Sequence, residues 1–130
     1  GIEVLRHFEP TPPIVCYPDE LNQVWTNLIH NAIHAMDNQG TLEIDVRAVG
    51  DAITVTITDS GHGIPEDIQE KIFEPLFTTK TRGEGSGLGL DIVRRIIEKH
   101  EGSVGVESRP GRTSFIVTLP VRRPEHPVEV

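Results

Sequence analysis

Residues 52–65, AITVTITDSGHGIP, join a strand pattern to a glycine-rich turn. Apolar and polar residues alternate as far as Asp59, and this period of two predicts a half-buried β-strand. Asp59 continues the phase of the apolar positions, so its carboxylate is predicted to face the core, where it needs a hydrogen-bond donor. Gly61 and Gly63 permit a tight turn after the strand. Asp59 therefore either caps its own turn or accepts a hydrogen bond from an exocyclic amino group, such as that of adenine.

The segments around this strand predict a mixed fold. Residues 41–49 alternate in the same way and predict a β-hairpin with residues 52–59 across the intervening Gly-Asp pair. Further strands are predicted at the end of the proline-rich residues 10–17 and at 102–108 and 113–120, and helices at 19–38, 65–73 and 90–100. This order predicts an α/β sandwich (α+β), with a mixed sheet of about five strands covered on one face by about three helices.

Length and composition exclude several classes of protein. The chain has 130 residues, which suits one domain, and its formal net charge of −8 argues against a nucleic-acid-binding surface. Cys16 is the only cysteine, which excludes an internal disulfide and predicts a reducing compartment. No apolar run is as long as a membrane span, so we expect no direct membrane insertion and a cytoplasmic location.

The two ends of the chain differ from its middle. The abrupt start predicts that residues 1–13 are a connector from an upstream domain that the sequence does not include. Residues 14–120 are predicted to form the folded domain, and the polar, proline-bearing residues 121–130 a C-terminal tail.

The first predicted helix carries a polar face beside its apolar stripe. Asp19 is predicted to cap this helix, and Asn27, Asn31 and His34 lie within about 60° of one another around its axis. A solvated face is one interpretation. The other is that amide oxygens are offered to ligand groups or to magnesium, which prefers oxygen ligands. His30 and His34 have metal-ligand spacing, but the sequence offers no third ligand, which disfavours zinc.

Residues 83–90, GEGSGLGL, place four glycines at alternate positions before a predicted helix. Neither the Rossmann nor the P-loop spacing fits them. Backbone amides at a helix start nevertheless favour an anion. Lys80 and Arg82 precede the glycines as cations, with Phe73 and Phe77 as apolar anchors. Residues from about 75 to 87 are predicted to form a lid over a nucleotide, with a plain flexible linker as the alternative.

Four segments occur in an order typical of one family: NQVWTNLIHNAIHAM (22–36), DSGHGIP (59–65), IFEPLFTTK (72–80) and GEGSGLGL (83–90). They resemble the asparagine, first glycine, phenylalanine and second glycine boxes of the sensor histidine-kinase ATP-binding domain. The wider group is the Bergerat-fold ATPases and kinases, which includes gyrase B and the ninety-kilodalton heat-shock chaperone. The resemblance spans residues 14–120. It implies a Bergerat ATP-binding fold with a mobile ATP lid and with ATP and magnesium as cofactors.

The resemblance also implies roles for single residues. Asn31 would ligate magnesium, and Asn27 and His34 would lie near the phosphates. Asp59 would hold the adenine amino group, assisted by Thr113 on the closing strand. The remaining nucleotide contacts implied by the resemblance are Gly61, Gly63, Ile64, Lys80, Gly85, Ser86, Gly87 and Leu88.

One position separates branches of this family. Hydrolysing members and the serine kinases carry a glutamate as general base four residues before the magnesium asparagine, where this chain has Asn27. An amide cannot take a proton from water, which favours a histidine kinase, whose acceptor imidazole is already nucleophilic. A Bergerat-fold serine/threonine kinase of the anti-sigma type and a non-catalytic ATP-binding regulatory module remain the alternatives.

The phosphate acceptor is expected outside this chain. His100–Glu101 has the letters of an acceptor motif but lies at a predicted helix end, so no catalytic residue is predicted here beyond the ATP site. The resemblance implies an upstream dimerisation and phosphoacceptor domain, a response regulator as downstream partner, and a homodimeric full-length protein.

Overall fold

Two helices and a mixed five-stranded sheet make up the described part of the chain, residues 1–75 and 89–121, in a computed structural model. Neither of these helices is long and apolar enough to span a bilayer. In chain order the elements are β1 (Ile2–Phe8), α1 (Pro18–Ala35), β2 (Gly40–Val49), β3 (Ala52–Asp59), α2 (Leu90–Lys99), β4 (Ser103–Arg109) and β5 (Arg112–Pro120). The predicted α/β sandwich with five strands is confirmed.

The strands lie in the order β1-β2-β3-β5-β4. β1 is parallel to β2, and the other neighbours are antiparallel. Because successive side chains alternate between faces, β3 and β5 each turn one apolar row to the core. The core residues of these two strands are Ile53, Val55, Ile57, Phe115, Val117 and Leu119, and the fully buried helix residues packed with them are Val24, Leu28, Val93 and Ile97.

Helix α1 begins and ends for identifiable reasons. It begins at Pro18, and Asp19 lies in its first turn, so the prediction of Asp19 as the N-cap is wrong. Proline suits the first helical position because the amide it lacks would have no partner there, and the Asp19 carboxylate favours the positive end of the helix. After the helix, Asp37 and Asn38 take φ values of 53° and 63°, the left-handed conformation that ends helices.

The predicted start of the folded domain at residue 14 is corrected by β1. Ile2 to Phe8 pair in parallel with Gly40 to Val46, so this segment is an edge strand of the sheet. Only its first residue is partly buried, and a strand exposed on both sides lacks the alternation by which β3 was recognised. The short strand predicted before α1 is absent. Ile14 and Cys16 pack against the core from irregular chain instead.

The predicted helix at residues 65–73 is also corrected. The segment contains one turn of 3-10 helix, Glu66–Ile68, followed by turns, so the described residues hold two α-helices rather than three. Ile72 and Phe73 are buried, and the Phe73 ring lies edge-on to Phe115 with 6.1 Å between centroids. These two adjacent side chains hold the segment against the core. Two neighbouring apolar residues do not form the apolar stripe that a longer helix would need.

The start of α1 and the end of α2 are joined by a cluster of Tyr17, Glu20, Lys99 and His100. The Tyr17 backbone N–H donates to His100 Nε2 (3.0 Å), and His100 Nδ1 lies 2.8 Å from the Ile96 carbonyl oxygen. A carbonyl oxygen only accepts, so Nδ1 carries the proton and Nε2 is the acceptor. Beside the ring, Lys99 Nζ lies 2.8 Å from Glu20 Oε2 and 4.3 Å from the Tyr17 ring centroid. The two helices are fixed to each other at this end.

His100→Phe should lower the free energy of unfolding by about 1 kcal/mol, since a phenyl ring keeps the packing but loses both hydrogen bonds. Urea unfolding followed by circular dichroism measures the change. Arg94→Ala, which removes an exposed pair with Glu98, serves as the control and should change stability by less than about 0.5 kcal/mol. Equal stability of His100→Phe and the unmodified chain would contradict the role of this cluster.

Candidate functional site

The carboxylate of Asp59 is buried at the end of β3, as its phase predicts. Asp59 is 2% exposed, and its Oδ1 accepts a hydrogen bond from the Gly61 N–H at 2.8 Å. No other hydrogen bond to Asp59 is found among the described residues. Burial raises the pKa of this carboxyl above its ordinary value, opposed by the Gly61 hydrogen bond and by His62. The site therefore contains a buried acceptor with unused capacity.

Two glycines after Asp59 allow the chain to pass close to other backbone. A Cβ at Gly61 would lie 2.5 Å from the carbonyl oxygen of Ala35 at the end of α1. Gly63 has φ of +87°, and a Cβ there would lie 2.6 Å from the Arg109 carbonyl oxygen at the end of β4. Any side chain at either position would force backbone apart. The glycines thus hold the loop between α1 and the β4–β5 hairpin.

Hydrogen bonds attach the same loop to the hairpin. The Ile64 N–H donates to Ser108 Oγ (2.8 Å), and Gln69 Nε2 donates to the carbonyl oxygens of Ile64 (2.8 Å) and Ser108 (3.2 Å). Ser108 Oγ lies 2.6 Å from Oγ1 of Thr113, which is 3% exposed. Thr113 is paired with Asp59 in the sheet. The structure therefore brings Asp59, Ile64 and Thr113 together.

Sequence reasoning did not identify Ser108 and Gln69. Ser108 had a usable signal, because it continues the phase of Val104 and Val106 in β4, as Asp59 continues the apolar phase of β3. Gln69 had no such signal, since it lies in a segment without regular structure.

An open groove of about 580 Å³ lies beside the loop. It is lined by residues 62–66, Gln69 and residues 108–110. Asp59 and Thr113 are not among these residues. The groove thus borders the loop from outside, and the buried carboxylate does not open into it.

The polar face of α1 contacts the start of α2. Asn27 Nδ2 lies 3.4 Å from the Gly89 carbonyl oxygen, and a Cβ at Gly89 would lie 2.7 Å from that nitrogen. Asn27 therefore packs directly on the last glycine of the GEGSGLGL segment. His34 is exposed, and with His30 it borders a cavity of about 210 Å³ at the C-terminal end of α1.

Asn31 carries a buried polar atom without a partner. Its Nδ2 has no hydrogen bond among the described residues, and such a group costs free energy until a ligand satisfies it. Rotation of the side-chain amide by half a turn exchanges Nδ2 and Oδ1, so Asn31 can present either a donor or an acceptor oxygen at this position. The described residues hold no group of three His, Cys, Asp or Glu side chains that could bind a metal alone. Asn31 thus fits a magnesium ion that receives its other ligands from phosphates and water.

The other predicted contacts, Lys80, Gly85, Ser86, Gly87 and Leu88, lie outside the described residues, as does nearly all of the predicted lid.

Comparison with known proteins identifies relatives of this chain. The family model described as "Histidine kinase-, DNA gyrase B-, and HSP90-like ATPase" matches residues 16–123. Sporulation kinase E of Bacillus subtilis is 42% identical over 114 residues, covering 86% of this chain and 15% of that protein. Sensor histidine kinase ZraS of Salmonella typhimurium is 48% identical over 106 residues, covering 80% and 22%. The chain spans less than a quarter of the length of these two relatives.

Solved structures share the fold. The catalytic domain of histidine kinase ThkA is 37% identical with a TM-score of 0.82, covering 92% of this chain and 78% of that one. The mycobacterial sensor histidine kinase MprB is 27% identical with a TM-score of 0.82, covering 93% and 84%. ThkA in complex with response regulator protein TrrA is 32% identical with a TM-score of 0.78, covering 93% and 34%. The chain therefore belongs to the histidine kinase-, DNA gyrase B- and HSP90-like ATPase family, and within it resembles the catalytic domains of histidine kinases.

Proposed function

We propose that this chain is the ATP-binding catalytic domain of a two-component sensor histidine kinase. It binds Mg-ATP and donates the γ-phosphoryl group to a histidine on a separate helical domain. The observation that carries the proposal is the buried Asp59 carboxylate, held by the Gly61 N–H and left with accepting capacity. Such a group is costly in a core unless a ligand uses it.

Adenine fits this acceptor. Its exocyclic amino group donates hydrogen bonds, whereas guanine carries a carbonyl oxygen at the same ring position, which an ionised carboxylate repels. Thr113 lies opposite Asp59 in the sheet, and Gly63 and Ile64 follow in the attached loop. These residues support an adenine pocket on the helix-facing side of the sheet, where β3 ends and β5 begins.

The α1 face fits the phosphates. Asn31 presents an unsatisfied buried amide, and Asn27 lies against the start of α2, where unpaired backbone amides favour an anion. Asn31 would hold magnesium, which when bound would neutralise phosphate charge. His34 supplies a further polar group on the same face.

The acceptor histidine belongs to a partner domain. Asn27 occupies the position where hydrolysing relatives have a glutamate base, and an amide cannot activate water or a serine hydroxyl. This favours transfer to a histidine over hydrolysis or a serine/threonine kinase. A non-catalytic module would bind ATP without transferring phosphate, so the labelling experiment below distinguishes this alternative.

We further propose that the full-length protein is a homodimer and that this domain acts in the cytoplasm. An upstream dimerisation domain would carry the acceptor histidine, and a response regulator would act downstream. The solved complex of ThkA with response regulator TrrA supports the second partner. The net charge of −8 disfavours nucleic acid as a partner.

Asp59→Asn should weaken ADP binding by about 1.5–3 kcal/mol, the usual contribution of a hydrogen bond to a charged group. It should also abolish preference for ADP over GDP. Calorimetry with both nucleotides measures this, and Asp45→Asn, which changes a carboxylate on the opposite sheet face paired with Arg47, should leave both affinities unchanged. Equal affinity of the unmodified chain for ADP and GDP would contradict the proposal that Asp59 recognises adenine.

Asp59→Asn should also raise the free energy of unfolding at neutral pH. Burial raises the pKa of Asp59. Between the unfolded value of about 3.9 and this raised value, the native state binds more protons than the unfolded state. The stability of the unmodified chain therefore falls as pH rises through that window. The gain from the substitution should be full above the raised pKa and disappear below about pH 3.9. Urea unfolding across pH tests this, and a pH-independent difference would contradict it.

Phosphotransfer should appear only when the acceptor domain is supplied. The chain alone should show negligible ATP hydrolysis, whereas with the histidine-bearing domain of its own parent protein it should transfer label from γ-labelled ATP. The label should be acid-labile, as expected of a phosphoramidate.

Asn31→Ala should reduce this labelling at least about a hundredfold, by removing an electrostatic contact in the transition state. Asn22→Ala, at an exposed position of the same helix, is the matched control. Rapid hydrolysis by the chain alone, or an acid-stable label on serine, would overturn the histidine-kinase proposal in favour of the alternatives.

A further inference from the structure

We propose that Ser108 is a positioning residue for base recognition. By binding the Thr113 hydroxyl on the β4 side, Ser108 keeps that hydroxyl away from Asp59 and leaves the carboxylate available to the amino group of adenine. This inference rests on the proposed adenine-binding function and assigns a role to a residue outside the four sequence boxes.

The starting observation is a hydrogen bond that does not form. Asp59 and Thr113 are directly opposite in the β3–β5 ladder, and both lie on the helix-facing side at 2% and 3% exposure. The Cβ atoms of such cross-strand pairs are about 5 Å apart, within reach of a bond between hydroxyl and carboxylate. Asp59 instead accepts from the Gly61 N–H, and Thr113 Oγ1 lies 2.6 Å from Ser108 Oγ.

Ser108 is itself held in place on two sides. Its Oγ accepts the Ile64 N–H at 2.8 Å, which uses one lone pair and leaves the other lone pair and the proton for Thr113. Its backbone carbonyl accepts from Gln69 Nε2 at 3.2 Å. The serine hydroxyl therefore cannot turn away from Thr113 without losing the Ile64 bond.

Removing the Ser108 hydroxyl would leave Thr113 buried without a partner. A buried hydroxyl seeks another acceptor, and the residue directly across the ladder is Asp59. Rotation of Thr113 to another staggered rotamer would let it donate to the carboxylate. The amino group of adenine would then compete with an internal donor for Asp59. Ser108 thus prevents a hydrogen bond between the Thr113 hydroxyl and the Asp59 carboxylate.

The sheet contains a matched control. Thr58 Oγ1 and Ser114 Oγ lie 2.8 Å apart, both buried, one position along each strand from Asp59 and Thr113. Alternation places this pair on the opposite face of the sheet. Ser114→Ala therefore removes a buried hydroxyl from an equivalent pair that does not face Asp59.

The experiment measures the ratio of ADP to inosine diphosphate affinity of the whole 130-residue chain. Inosine diphosphate carries a carbonyl oxygen in place of the amino group. Ser108→Ala should lower this ratio at least about fivefold, the effect of about one hydrogen bond, mainly by weakening ADP. Ser108→Thr keeps the hydroxyl and should preserve the ratio, and Ser114→Ala should preserve it as well. In Ser108→Ala, NMR titration should also show the pKa of Asp59 lowered, because Thr113 would then donate to the carboxylate.

The outcomes separate this inference from the function on which it rests. No preference for ADP in the unmodified chain would overturn the adenine site itself. A clear preference that Ser108→Ala leaves unchanged, or that Ser114→Ala reduces equally, would overturn the role of Ser108 alone. If Ser108→Ala does not fold, Ser108→Cys fills the same space with a weaker hydrogen-bonding group and should shift the ratio in the same direction. An unchanged ratio there would overturn the proposal.

Discussion

The pleat of β3, β4 and β5 places one polar residue of each strand in line with the apolar residues that face the core. Asp59 continues the phase of Ile57, Ser108 that of Val106, and Thr113 that of Phe115. Because side chains alternate strictly between faces, all three polar groups lie under the helices at one end of the sheet. The rest of the site is built around this constraint, since α1 and the glycine loop close over a buried Asp59 and Thr113 and a half-buried Ser108.

The site leaves hydrogen-bonding capacity unused in the folded chain. The Asp59 carboxylate keeps accepting capacity, and the Asn31 amide nitrogen has no partner among the described residues. Each costs stability in the absence of ligand. Proteins depart from the rules of core packing chiefly where they bind or react, and these two groups lie on different elements, β3 and α1. A ligand with a base at one end and phosphates at the other, as proposed above, would use both groups.

The sequence predicted the features that depend on periodicity and failed where tertiary context decides. The β2–β3 and β4–β5 hairpins, the two long helices and the inward Asp59 follow from local alternation and spacing. The edge strand β1 was missed because exposure on both faces removes the alternation, and residues 65–73 were overpredicted as a helix. The contacts of Asn27 with Gly89 and of Ser108 with Ile64 join distant segments, so no local pattern could reveal them. Motif order predicted which residues face a ligand, whereas only the fold revealed what holds Asp59 and Asn27 in place.

The antiparallel pairing of β3 with β5 has a consequence for folding kinetics. Hairpins β2–β3 and β4–β5 each close through a short turn, but the pair that joins them, Thr58 with Ser114, spans 56 positions. Contacts of such high sequence separation carry a larger loop-closure entropy and slow the folding rate. The polar groups of the site are divided between the hairpins, so a partly folded chain with both hairpins formed has no assembled site. A nucleotide that binds only the joined sheet would stabilise the native state over its intermediates, and would thereby act mainly by slowing unfolding.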